Sequence, residues 1–334
     1  MTEDEVQKRS EKILADAGLT ALSIEPLQGG RNNLVFKVVT GKDDLLLKLY
    51  FWHEHDQRDR LKAEYSFLEY AKLKEIKSIA NPILCDTKNR VALYSFIKGK
   101  KVAAGEVNSD AVDQAIRFIE EINHDRDNTQ ARSIGIASDA CFSVQAHLDT
   151  IEKRLEQFHG LEVEDELDSD LKNFIEQSLR PTWNRVKNDV LSTFSKEVIE
   201  SPLALGDRIL SPSDFGFHNA LESEDRIYFL DFEYAGWDDP AKTAGDFFNQ
   251  VEIPVPLVFF DEFVTRVAQL TEDADFTQQR IRLLLPLYSI KWICIVLNYF
   301  LPVHRSRRNF AQVLDNKKIQ LEKAKNIMDH KLRR

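Results

Sequence analysis

Local pattern changes once along this chain, near Gly99. Before that point short β-prone runs at 21–27, 34–40, 45–51 and 91–97 are separated by turn residues such as Gln28-Gly29-Gly30-Arg31-Asn32-Asn33 and Gly41-Lys42-Asp43-Asp44. A helix is expected ahead of them over residues 2–17, with Thr2 and Glu5 as a capping box and Gly18 as its stop. Another is expected over 57–73, where Leu61, Tyr65, Leu68 and Ala71 share one face, and Asn81-Pro82 breaks the pattern. After Gly99 helical periodicity dominates, at 109–124, 144–158, 168–194 and in the final segments, and short strands return only at 209–231. Sheet first and helices second predicts a two-lobed α+β protein. A small antiparallel sheet lobe would span residues 1–98, and a large, mainly helical lobe residues 99–334, with a helical insert at about 139–201.

Charge and composition narrow the function classes. The 334 residues carry a net charge of -10, against the basic footprint that general binders of nucleic acid or anionic membrane need. The C-terminal helix is locally basic (Lys317, Lys318, Lys323, Lys325, Lys331, Arg333, Arg334), but Glu322 and Asp329 interrupt it, which reads as a solvated face. Cys85, Cys141 and Cys294 show no metal spacing or paired framework, and the N-terminus is acidic, so a cytoplasmic location is expected. Residues 283–301 are apolar enough to raise the question of a membrane span, yet Pro286, Lys291 and Asn298 fall inside, and a buried helix is expected there.

The densest chemistry lies at Ser211-Pro212-Ser213-Asp214-Phe215-Gly216-Phe217-His218-Asn219, followed by Ile227-Tyr228-Phe229-Leu230-Asp231-Phe232-Glu233. An Asp, an Asn five positions on and a second Asp ending an apolar run suit phosphoryl transfer, which needs a carboxylate near the attacking hydroxyl and hard oxygen ligands for Mg²⁺. Singly, each residue also reads as a turn former or a strand end. Upstream, Lys48 sits within the apolar run Leu45-Leu46-Leu47-Lys48-Leu49, where a buried amine needs an anionic partner and an edge-strand lysine would reach water. The Gly29-Gly30 turn can cradle phosphate on backbone N–H groups, or simply close a hairpin.

Together these segments resemble the aminoglycoside phosphotransferase and choline/ethanolamine kinase superfamily, with its protein-kinase-like fold, over about residues 22–300. The resemblance implies ATP and Mg²⁺ as cofactors, Asp214 as catalytic base, and Asn219 and Asp231 as metal ligands. It places Gly29, Gly30, Asn32 and Asn33 in a phosphate-covering loop, Lys48 on the α- and β-phosphates paired with Glu64, and adenine at a hinge read by the Ser95 carbonyl and Ile97 amide with Tyr94 behind. Two departures stand out. Pro212 occupies a place where many members have His, which implies a changed loop support. Thr243 stands where an Asp often braces the catalytic loop, and Asp246, one helical step on, is a candidate substitute near residues 212–217.

The acceptor implied is a small molecule bearing a hydroxyl, a sugar, an amino alcohol or an aminoglycoside-like compound. Glu233, Trp237, Asp238, Asp246 and Trp292 are candidate substrate or support residues, since carboxylates and aromatic faces serve an ammonium or a sugar alike. Two other classes compete: a nucleotide-binding pseudokinase, and a protein-interaction protein that docks through 139–201. Absence of the protein-kinase His-Arg-Asp and Ala-Pro-Glu segments disfavours a protein kinase. The complete set of phosphate and metal groups disfavours a dead enzyme.

Overall fold

A computed structural model describes residues 3–27, 33–52, 58–301 and 317–332. Thr2, Gly29, Gly30, Asn32 and the two terminal arginines named above lie outside the described residues. Two compact units emerge. The first comprises Met1–Asp139, Ile209–Asp238 and Glu252–Pro254; the second comprises Ala140–Arg208, Asp239–Val251 and Val255–Arg334. The unit that holds the sheet therefore extends past Gly99 and takes in the segments around Asp214 and Asp231.

In the first unit, helix α1 (Glu3–Asp16) stops at Gly18, whose φ of +67° allows the chain to reverse. A five-stranded antiparallel sheet follows, with β1 (Ala21–Leu27), β2 (Asn33–Thr40), β3 (Asp44–Tyr50), β4 (Pro82–Asp86) and β5 (Val91–Ser95) in the order β1-β2-β3-β5-β4. Alternation along β3 decides what its side chains do. Leu45, Leu47 and Leu49 turn to one face and pack with Ile13 and Leu14 of α1, Val38, Val91 and Leu93. Lys48 and Tyr50 share the opposite face, towards helix α2 (Arg60–Leu73), whose N-terminus is capped by Asp59.

Strand β4 is absent from the sequence reading, because Pro82 looks like a breaker. It begins the strand at the edge of the sheet, where a missing N–H costs no ladder bond. After β5 come β6 (Lys100–Lys101), α3 (Ser109–Asn123) and α4 (Thr129–Ser133). The same unit holds β7 (Ile209–Ser211), β8 (Ala220–Ser223) and β9 (Arg226–Phe229), within the stretch where the sequence expects strands to return, and β10 (Gly236–Asp238), which lies beyond it. β7 pairs with β10, and β6-β8-β9 form a small sheet.

The second unit is helical: α5 (Val144–Glu156), α6 (Glu166–Phe174), α7 (Arg180–Thr193), α8 (Lys196–Glu200), α9 (Pro240–Asn249), α10 (Phe260–Ala268), α11 (Ala274–Leu297) and α12 (Lys317–Ile327). The single helix expected over 168–194 is divided by a π-helical turn, Ile175–Leu179, that ends two residues before Pro181. Proline cannot donate to the preceding turn, and a π turn accommodates that loss without ending the helix. α9 is buried along its whole length and packs on α11.

α11 is the one described helix long and apolar enough to cross a membrane, and most of its apolar window is buried in the fold. Its buried Arg280 and Lys291 are paired with Asp239 and Asp246, the arrangement of a core helix.

Candidate active site

Aromatic packing places the two acidic loops of the first unit. Phe118 on α3 stacks on Phe229, with ring centroids 4.8 Å apart, and lies 5.9 Å from Phe215 and 5.8 Å from Phe232. Those two phenylalanines follow Asp214 and Asp231 directly, so one buried ring fixes the neighbours of both carboxylates. Asn123, also on α3, holds the entrance to the first loop. Its amide donates to the Leu210 carbonyl at 2.9 Å, and its carbonyl accepts the Leu210 N–H at 2.8 Å. Ser213 and Asp231 both lie in the left-handed region, with φ of +67° and +63°. A non-glycine residue held there costs roughly 1 kcal/mol or more and marks a backbone shaped for its side chain.

Lys48 joins the sheet to the second loop. Its Nζ donates to Glu64 Oε2 at 2.7 Å and to Asp231 Oδ1 at 2.6 Å. Burial works to discharge the ammonium, but attraction to Asp231, Glu64 and Glu233 outweighs it and holds the amine protonated well above the ordinary lysine range. Burial also raises Glu64, against the pull of Lys48. Tyr50 donates to the same Glu64 oxygen at 2.6 Å and shares a 2.7 Å hydrogen bond with the Tyr94 hydroxyl. Tyr50 is a site residue the sequence reading misses. Its signal is the two-residue spacing from Lys48, which puts both on one face of β3.

On the first loop, Asn219 donates from Nδ2 to the Asp214 backbone carbonyl at 3.0 Å, and its Nδ2 lies 3.5 Å from Asp214 Oδ2. Its amide oxygen is the atom with which it would ligate a metal. The carboxylates of Asp214 and Asp231 are 40% and 44% exposed, open enough to meet a ligand. His218 Nε2 stands 3.2 Å from Asp214 Oδ1. Among the described residues no group of three or more His, Cys, Asp or Glu side chains is arranged to hold a metal ion. An amide oxygen and one or two carboxylates fit Mg²⁺, which commonly keeps waters and substrate phosphates as its remaining ligands.

Other expected residues take different places. Asn33 is buried and committed at both ends, donating to Glu233 and accepting from the Phe51 N–H at 3.2 Å, so its side chain braces the loop rather than facing outward. Glu233 is buried and lies 3.7 Å from Arg60 Nε as well. Ser95 is bonded to Asn81 through both its N–H and its hydroxyl, and Ser95 and Ile97 are half-buried. Trp237 is partly buried and packs against Tyr70, Ala131, Ile134 and Leu210, its indole N–H on the Ala131 carbonyl at 3.0 Å. Asp238 is fully buried.

Asp246 and Trp292 belong to the second unit. Asp246 takes two hydrogen bonds from Lys291, at 2.7 and 2.9 Å, and one from the Trp292 indole at 3.1 Å. The carboxylate suggested as a brace for residues 212–217 thus ties α9 to α11. Trp292 is engaged in the same pair.

Comparison with known proteins fits this geometry. Residues 23–276 match the family model described as the phosphotransferase enzyme family. No curated protein sequence matches at a significant level. Among solved structures, spectinomycin phosphotransferase APH(9)-Ia, in complex with ADP and spectinomycin, aligns with a TM-score of 0.59 at 14% identity, covering 96% of this chain and 93% of its own. The choline kinase LicA from Streptococcus pneumoniae aligns with a TM-score of 0.54 at 14% identity, covering 97% and 98%. Macrolide 2'-phosphotransferase type I does so at 0.53 and 13%, covering 98% and 97%. At such identities the likeness establishes the kinase-like fold. The family match spans most of the sequence, and the chain belongs to the phosphotransferase enzyme family.

Proposed function

We propose that the protein transfers the γ-phosphate of ATP to a hydroxyl group of a small molecule, with Asp214 as base. The observation that carries this reading is Lys48 held between Glu64 and Asp231 in the same unit as Asp214 and Asn219. A lysine fixed on a buried glutamate presents one permanent positive charge to the phosphates. Asp231 and the amide oxygen of Asn219 would hold Mg²⁺, which when bound neutralises charge on the phosphates. Asp214 orients the acceptor hydroxyl and takes its proton as the phosphoryl group leaves. In a loose transition state that orientation matters more than basicity.

The hinge, with Ser95 and Ile97 at the end of β5 and Tyr94 behind, is the proposed adenine contact. Gly29, Gly30 and Asn32 are proposed to cover the phosphates. In this reading residues 1–98 serve the nucleotide and the helical part after residue 99 serves the acceptor. The structural neighbours are named for spectinomycin, choline and a macrolide, which points to a hydroxyl-bearing small molecule here too, a sugar, amino alcohol or aminoglycoside-like compound. The three cysteines are free thiols, which fits a cytoplasmic setting.

The test is incubation of purified protein with Mg·ATP and pooled sugars, amino alcohols and aminoglycosides, with mass spectrometry of the products and Asp214→Ala as control. A phosphorylated product that disappears in the variant supports the reading and names the acceptor class. Intact Mg·ATP binding without any product would favour a binding role, and an active Asp214→Ala enzyme would remove Asp214 as base.

A further inference from the structure

We propose that His218 is the positioning residue of the Asp214 carboxylate, an inference that rests on Asp214 acting as the base. A carboxylate can only accept at neutral pH, so the imidazole donates from Nε2 to Asp214 Oδ1, across 3.2 Å. The side chain of His218 is 11% exposed, whereas that of Asp214 is 40% exposed. The buried ring is therefore the fixed partner, and the half-open carboxylate is the one that needs holding. Asn219 approaches the other oxygen at 3.5 Å, so the carboxylate is set between two neighbours supplied by its own loop.

The second ring nitrogen decides between this role and ordinary packing. Nδ1 is buried and finds no hydrogen-bond partner among the described residues. Burying a polar nitrogen unpaired is costly, and an apolar side chain would fill the same space without that cost. The hydrogen bond to Asp214 is what the histidine supplies and a phenylalanine or leucine would not. Pro212, two residues before the base, has no side-chain donor, whereas His218, four residues after it, has one within reach of the carboxylate.

Three substitutions separate the roles of the ring. His218→Gln can return an N–H near the Nε2 position, His218→Asn reaches only the Nδ1 position, and His218→Ala removes both. Crystal structures of the three variants are expected to show the Asp214 carboxylate in its original rotamer in the Gln variant and rotated or split in the Asn and Ala variants. A carboxylate that stays in place in His218→Ala overturns the proposal, whatever the activity.

Steady-state transfer, measured to the acceptor found in the screen or to water as ADP formation from Mg·ATP, supplies the functional readout. We expect kcat to fall about 10- to 100-fold in the Ala and Asn variants, with partial recovery in Gln and an unchanged KM for ATP. Adding His218→Ala to Asp214→Asn is expected to lower kcat no further, because the ring acts only through that carboxylate. If Asp214→Asn itself retains full turnover, the assignment of the base fails. The rotamer comparison then still judges His218 separately.

Discussion

Lys48 Nζ meets Asp231 Oδ1 at 2.6 Å, joining residues 183 positions apart in the chain. The same amine meets Glu64 at 2.7 Å, so removing it leaves two carboxylates without their cation. Lys48→Met is expected to weaken Mg·ATP binding at least tenfold, because charge-assisted bonds to phosphate are lost. It is also expected to destabilise the fold by about 3 kcal/mol or more, since Glu64 stays buried without its cation. Isothermal titration and urea unfolding measure the two effects separately. Unchanged nucleotide affinity would remove Lys48 from the phosphate site.

Asn123 is the support for the Asp214 loop that carries no charge. Leu210 is fully buried, and Asn123 satisfies both its N–H and its C=O. Asn123→Leu keeps the branched outline of the side chain and strands both groups, so a loss of about 2–4 kcal/mol is expected in chemical denaturation. A parallel drop in phosphoryl transfer is expected, with the KM for ATP little changed. A variant as stable as the parent would mean that water or a shifted backbone replaces the amide.

Asp239 gives the second unit an acid-sensitive joint. The fully buried carboxylate accepts two bonds from Arg280, at 2.8 and 2.6 Å, and stands 3.0 Å from His147 Nε2, while its other oxygen caps α9 at the Ala241 N–H. Burial alone would raise its pKa, but the Arg280 charge and the His147 bond hold it well below the ordinary carboxylate range. A depressed folded pKa contributes stability that is present above the unfolded value, near 4, and is lost as pH falls from there towards the folded value. Stability of the protein is therefore expected to drop steeply below about pH 4. Asp239→Asn should flatten that slope and cost about 3–5 kcal/mol at pH 7, because Arg280 would stay buried without its anion. Unfolding curves from pH 3 to 7 check both signs.

What the sequence discloses and what it hides follow from the kind of constraint involved. Lys48 signals an anionic partner because it stands inside an apolar run, where burial without one is costly, and it has two. Asp214, Asn219 and Asp231 stand out as candidates by residue type and spacing. The Lys48–Glu64 pair followed from the resemblance and is present at bonding distance. Partners drawn from distant segments were not legible. Nothing in the spacing of Asn33 and Glu233, or of His147 and Asp239, announces that they meet. Trp237 and Asp246 show the same limit. An aromatic and an acid near a loaded motif look like ligand contacts, and spacing does not announce that the first packs against Tyr70 and Leu210 or that the second pairs with Lys291. Strand β4 was hidden by Pro82, since the rule against proline applies to central strands and this one is an edge.

Gly245 tests how closely α9 and α11 approach. A Cβ added there would lie 2.2 Å from Tyr288 Cγ and 2.3 Å from Cδ2, far inside contact distance and against the root of a buried ring. In an open helix Gly→Ala stabilises by about 1 kcal/mol. Here the sign is expected to reverse, because the ring of Tyr288 is only 3% exposed and has its hydroxyl fixed on His147 Nδ1 at 2.7 Å. Gly245→Ala must push the ring or the helix aside, and overpacking of this kind costs about 1–3 kcal/mol. Moving Tyr288 also loosens His147, and with it the bond to Asp239 that holds the start of α9. The loss should shrink when Tyr288→Ala is introduced first, since the clash then has no partner. Urea midpoints of the two single variants and the double variant give that coupling directly. A Gly245→Ala protein more stable than its parent would mean that the two helices sit further apart than the packing of Tyr288 on Gly245 requires.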